Sequence, residues 1–184
     1  MNKVVMFDID GVLADFTSGY RGIEEKRGLP ITTGDSWDDY WAKEVWNEIK
    51  ASPTFWMELT PVPELMANPA LWREMNRLNQ DIWYVTSRPG IDVRRQTEYW
   101  LRSFGIRYPQ VILSNHKGEI AKGLNATHSI EDKAGNAVII KYLQPKCDSF
   151  LIHTPYNANM DHAVIGRQVK RIYSVEEYVK VIGG

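Results

Sequence analysis

The chain has 184 residues, 43% of them hydrophobic and 24% charged, with a formal net charge of −1. That length supports one compact domain burying roughly 70% of the surface its unfolded chain would expose, and no apolar stretch approaches the ~20 residues of a membrane-spanning helix. The charge is uneven: residues 15–75 carry 11 acids and 6 bases, residues 76–184 carry 10 acids and 15 bases, and an acidic segment of that size argues against a nucleic-acid polymer as the main partner.

In chain order, Val4-Val5-Met6-Phe7 is an unbroken apolar run ending at Asp8. Continuous rather than alternating apolarity predicts a strand covered on both faces. Residues 15 to about 75 break the pattern with a stretch rich in Trp, Asp and Glu, helical near 38–50 and without a strand, closed by Thr60-Pro61-Val62-Pro63. It reads as a small helical cap inserted after the first strand, leaving 1–14 and 76–184 as the core. A helix is expected over 64–79, then a strand at Ile82-Trp83-Tyr84-Val85 and a helix over 91–104 closed by Gly105. Val111-Ile112-Leu113 is the third strand, 128–130 a short fourth, and 134–143 a helix stopped by Pro145. Phe150-Leu151-Ile152, a last strand at 169–173 and a helix at 175–182 complete the chain. Strands alternating with helices give an α/β fold, a parallel sheet flanked by helices.

The first strand starts almost at once, without the pattern of a secretory leader, and Cys147 is the only cysteine. Both point to a reducing, cytoplasmic setting. The four histidines show no metal-ligand spacing and receive no role; a homodimer stays open as an assembly.

Ligands of open α/β sheets bind at the carboxyl ends of the strands, so the polar residues that end each apolar run should meet in one crevice. These are Asp8-Ile9-Asp10-Gly11-Val12, Thr86-Ser87-Arg88, Lys117 and Glu131-Asp132. Paired carboxylates at a buried strand end repel each other unless a cation lies between them. Mg²⁺, a hard ion with oxygen ligands, suits Asp8, the backbone carbonyl of Asp10, and Asp132. Asp8 is the candidate nucleophile and Asp10 the candidate acid and base. Thr86 and Lys117 would offset charge on a phosphoryl group. Read singly, Asp-Gly is a turn dipeptide and the other residues are caps or surface charges; it is their joint register at strand ends that points to a site.

On these residues the chain resembles the haloacid dehalogenase (HAD) superfamily, whose four motifs correspond to Asp8-Ile9-Asp10-Gly11-Val12, Thr86, Lys117 and Glu131-Asp132. A narrower resemblance, to the 5′(3′)-deoxyribonucleotidases, rests on Asp8 through Phe16, Phe55 through Pro63, Thr86-Ser87-Arg88-Pro89 and Pro155-Tyr156-Asn157. It implies a Mg²⁺-dependent phosphomonoesterase acting on (deoxy)nucleoside monophosphates, with Phe16 and Trp56 lining the base pocket and Ser87 and Arg88 near the phosphate. Trp37, Trp41, Trp46 and Phe55 are read as structural. Glu131 stands where a second Asp is usual, and Lys122 competes with Lys117 for the third motif. The rival readings are a phosphatase for another small ester or a nucleic-acid 3′-phosphate, and a non-catalytic nucleotide-binding module.

Overall fold

A computed structural model describes residues 3–33, 39–40, 42–78, 80–158 and 168–184. Six strands, β1 (Val4–Phe7), β2 (Asp81–Thr86), β3 (Gln110–Leu113), β4 (His128–Glu131), β5 (Asp148–Ile152) and β6 (Val169–Ile172), form one sheet in the order β3-β2-β1-β4-β5-β6. Every pairing is parallel. Between β1 and β2 lie α1 (Phe16–Lys26), α2 (Lys43–Ala51), α3 (Phe55–Glu58), α4 (Pro63–Ala67) and α5 (Ala70–Arg77). Further α-helices among the described residues are α6 (Val93–Ser103), α7 (Lys117–Leu124), α8 (Ala134–Leu143) and α9 (Val175–Gly183), with a 3-10 turn at Pro155–Asn157.

Alternation along the strands divides the core into two layers. Val5, Phe7, Tyr84 and Phe150 face one way, into a cluster with Leu101 of α6, Leu71 of α5 and Tyr178 of α9. Met6 and Val85 face the other way, onto Ala121 of α7 and Ile140 of α8. Helices cover both faces of the apolar runs in β1, β2, β3 and β5, whereas β4 reads His-Ser-Ile-Glu and the edge strand β6 reads Val-Lys-Arg-Ile with Lys170 exposed.

Local chemistry sets the ends of the helices. Past α6, the Ile106 and Gly105 N–H groups donate to the Leu101 and Arg102 carbonyls, and Gly105 takes φ +95°. This is a Schellman closure, with Ile106 and Leu101 both buried at its apolar contact. Ser174 caps α9 by accepting from the Glu177 N–H at 3.0 Å.

The single helix expected over 64–79 is two helices. Pro69 brings no N–H and disfavours a helical residue before it, and Asn68 sits at φ −126°, ψ 73°. The helix expected near 38–50 begins at Lys43; residues 34–38 and 41, including Trp37 and Trp41, lie outside the described residues.

The sheet order reverses at β1, with β2 and β3 on one side of it and β4 to β6 on the other. Phe7 pairs with Ile130 of β4 and with Tyr84 of β2. Asp8 and Glu131 therefore leave neighbouring strands at one level, at the switch point where such sheets open a crevice.

Candidate active site

Asp8 extends the β1 ladder by one bond, its N–H donating to the Ile130 carbonyl at 3.1 Å. The chain then folds back tightly: the N–H groups of Val12, Leu13 and Ala14 all point at the carbonyl of Ile9. Gly11 takes φ +80°, and a Cβ there would run into the Asp132 carboxylate and the Tyr156 hydroxyl, so only glycine serves both the turn and the close approach.

The turn delivers Asp8 to a buried charge cluster. The Asp8 Oδ1 accepts from the Ile9 N–H at 2.7 Å, and its Oδ2 lies 2.6 Å from Lys117 Nζ. Lys117, the first residue of α7, also reaches Glu131 Oε2 at 2.8 Å, and Asn136 donates to that same oxygen at 3.1 Å. Lys122, by contrast, is exposed. Of the two lysines only Lys117 is brought into the crevice.

Carboxylate oxygens of Asp8, Glu131 and Asp132 lie within 4.8 Å of one another. Burial works against the charge on Lys117, but the attraction of Asp8 and Glu131 overcomes it and holds the ammonium above its ordinary range. Burial, then the charge of Asp8, pushes Asp132 up to about 7 and Glu131 well above the usual carboxylate range. One ammonium among three buried carboxylates leaves excess negative charge, and an all-oxygen donor set answers to a hard divalent cation. The residues present therefore fit Mg²⁺.

Asp10 points elsewhere. Its carboxylate accepts from Thr86 Oγ1 at 3.1 Å and from Arg88, whose Nε and Nη2 reach Oδ2 at 2.9 Å and Oδ1 at 2.8 Å. The Arg88 side chain is fully buried, with the guanidinium 4.9 Å from the Trp56 ring centroid. Thr86 and Arg88 are thus both turned onto Asp10, whereas Ser87 is exposed at the rim.

Above this floor opens a cavity of about 320 Å³ lined by Asp8, Asp10, Thr86, Ser87, Arg88, Lys117 and Asp132 on its polar side. Its apolar wall is Phe16, Tyr40, Trp46 and Trp56. Phe16 stands between two indoles, 5.6 Å from Trp46 and 5.9 Å from Trp56 between centroids, with interplanar angles of 25° and 19°. Nine candidates from the strand ends and the cap, Asp132 included, reach this one cavity. Tyr40 and Trp46, which the sequence alone does not place here, join them. Trp46 directly follows Val45 and so lies beside the buried Val45–Ile49 stripe of α2 rather than within it, and that offset is the signal that could have singled it out.

The chain matches no protein-family model and no curated protein sequence. Solved structures do match over nearly its whole length. A protein from Bacillus subtilis named as a HAD-hydrolase and bound to magnesium superposes with a TM-score of 0.59 at 15% identity, covering 98% of both chains. A haloacid dehalogenase-like hydrolase from Burkholderia xenovorans gives 0.61 at 12% identity, covering 97% of this chain and 95% of the other. The L-2-haloacid dehalogenase of Xanthobacter autotrophicus gives 0.57 at 10% identity, over 100% and 99%. The fold is HAD-like. Among the described residues no helix is long and apolar enough to cross a membrane.

Proposed function

We propose that the protein is a Mg²⁺-dependent phosphomonoesterase that hydrolyses (deoxy)nucleoside monophosphates through a phosphoaspartate at Asp8. The observation that carries this reading is the cluster at the switch point: Asp8 held against Lys117, with Glu131 and Asp132 within 4.8 Å. Excess negative charge at that spot is poorly suited to an anionic substrate unless a cation is present, and a bound Mg²⁺ would supply the charge neutralisation that lets a phosphate approach a carboxylate. Asp8, Asp132 and the Asp10 carbonyl are its proposed ligands, and the magnesium of the Bacillus subtilis neighbour supports the assignment.

In the first half-reaction an Asp8 oxygen attacks phosphorus and the ester P–O bond breaks. Asp10 acts as the general acid, giving a proton to the departing alkoxide from an oxygen that has left the Arg88 fork. In the second, Asp10 takes a proton from water, whose oxygen attacks the phosphoaspartate and releases inorganic phosphate and the Asp8 carboxylate. Lys117 keeps Asp8 oriented and offsets the charge that gathers in both transition states. Residues 15–75 act as the cap, excluding bulk water from the phosphoaspartate.

The nucleoside assignment is supported by the aromatic lining of the cavity, Phe16, Tyr40, Trp46 and Trp56, an apolar wall against which a base could pack. Phosphate release from nucleoside 5′- and 3′-monophosphates and from sugar phosphates, with and without Mg²⁺, tests both parts. Metal-dependent release confined to nucleotides is expected. Release from sugar phosphates alone would leave the chemistry standing and remove the substrate, and metal and nucleotide binding without release would favour a binding module.

A further inference from the structure

The segment after β5 carries Pro155-Tyr156-Asn157, which the reaction just described does not use. Its two polar side chains converge on Asp132. The Tyr156 hydroxyl donates to Asp132 Oδ2 at 2.5 Å, and the Asn157 amide donates to the Asp132 backbone carbonyl at 2.8 Å. Consecutive residues thus hold the carboxylate and the main chain of one residue.

Asn157 is itself fixed. It is 1% exposed, and its second N–H goes to the Ile152 carbonyl at 2.8 Å. Its Oδ1 accepts from the Thr154 N–H at 3.0 Å and from Arg171 Nη1 at 2.8 Å, while Arg171 Nη2 reaches its backbone carbonyl at 3.0 Å. The amide meets two donors and two acceptors, so it has one stable orientation. Arg171 belongs to β6, which ties the clamp to the sheet. On the opposite side the bare Cα of Gly11 leaves just enough room for Asp132 Oδ2 and the Tyr156 hydroxyl.

We infer that Tyr156 and Asn157 are positioning residues that orient Asp132 toward the divalent cation, Tyr156 through the carboxylate and Asn157 through the backbone. This rests on the metal-dependent reading above. A buried carboxylate next to Asp8 and Glu131 is pushed away from them by their charge, and an external donor on Oδ2 stops it turning away. Outer partners of this kind typically change metal affinity 10–100-fold when removed.

The test is titration of Mg²⁺ into the metal-free full-length protein by calorimetry, for the parent, Tyr156→Phe and Asp132→Asn, with thermal melts of each metal-free form. Tyr156→Phe should bind Mg²⁺ about 10–100-fold more weakly while melting within a few degrees of the parent, and saturating Mg²⁺ should restore most of its turnover. Unchanged Mg²⁺ affinity in Tyr156→Phe, with binding lost in Asp132→Asn, would overturn the clamp and leave the metal site standing. Unchanged affinity in Asp132→Asn would overturn the metal site and the clamp with it. A weaker affinity accompanied by a large fall in the metal-free melting temperature would assign Tyr156 to the fold and also overturn the proposal.

Discussion

Arg88 grips both carboxylate oxygens of Asp10 across 78 positions of sequence, with Nη2 on Oδ1 at 2.8 Å and Nε on Oδ2 at 2.9 Å. A further N–H group, on Nη1, donates to Thr97 Oγ1 at 3.2 Å, and the guanidinium lies over the Trp56 ring. On the proposed mechanism, an Arg so placed would act through Asp10 rather than on the phosphate directly.

Arg88→Lys keeps the charge and loses the planar fork, so Asp10 loses its two-point hold. Since misplacing a catalytic group by about 1 Å can lower rates about 10²-fold, kcat for a nucleotide should fall by that order with KM little changed. Steady-state kinetics of the folded variant decide it; a raised KM at unchanged kcat would make Arg88 a phosphate ligand instead.

Trp46 closes one side of the Phe16 stack and is only half-buried, so Trp46→Leu should leave the fold intact. Stacking of a base on an aromatic side chain is worth about 1–3 kcal/mol, which is about 5- to 150-fold in affinity. KM for nucleoside monophosphates should rise within that range, while KM for a small aliphatic phosphate stays put. Equal changes for both would take the base off this wall.

The acid cluster is strained wherever no cation offsets its charge. Burial and then Asp8 push Asp132 up to about 7 from 3.8, so between those values the folded chain holds a proton that the unfolded chain releases. The unfolded state binds fewer protons there, and stability falls as pH rises through the window. The metal-free protein should melt lower at pH 8 than at pH 5, with Asp132→Asn narrowing the gap. Added Mg²⁺ should raise the melting temperature most at pH 8. A gap unaltered in Asp132→Asn would place the effect elsewhere.

Cys147 is fully buried, and burial pushes its thiol up to about 11. Little thiolate exists at pH 8 and none is accessible, so alkylation of the native protein by iodoacetamide should be slow and become fast in denaturant. Rapid native labelling would contradict the packing of the α7–α8 layer.

The strands β1, β2, β3 and β5 were legible because their covered stretches are unbroken apolar runs, and the polar residues after β1, β2 and β4 mark the crevice; β4 and β6, with polar residues inside them, carry a weaker signal. Lys117 was legible from its place right after β3, but its separation from Lys122 came only with depth, since both lie on α7. The break at Asn68-Pro69 was written in the proline, yet periodicity on either side of it suggested one helix. The Arg88–Asp10 fork was beyond reach, because nothing local to Arg88 announces a partner 78 residues away. Likewise Trp46 and Tyr40 look like core aromatics until packing places them in the lining of a cavity.

The most direct measurement is mass spectrometry of acid-quenched reactions with a nucleoside monophosphate and Mg²⁺, using the parent and Asp10→Asn. With an aryl phosphate in place of the nucleotide, the phenolate leaves without an acid and loss of the base slows only hydrolysis of the intermediate, so a phosphoryl adduct mapped to Asp8 should accumulate in Asp10→Asn and vanish in an Asp8→Asn control. Turnover by the parent with no adduct on Asp8 in either form, or turnover surviving in Asp8→Asn, would contradict the phosphoaspartate mechanism.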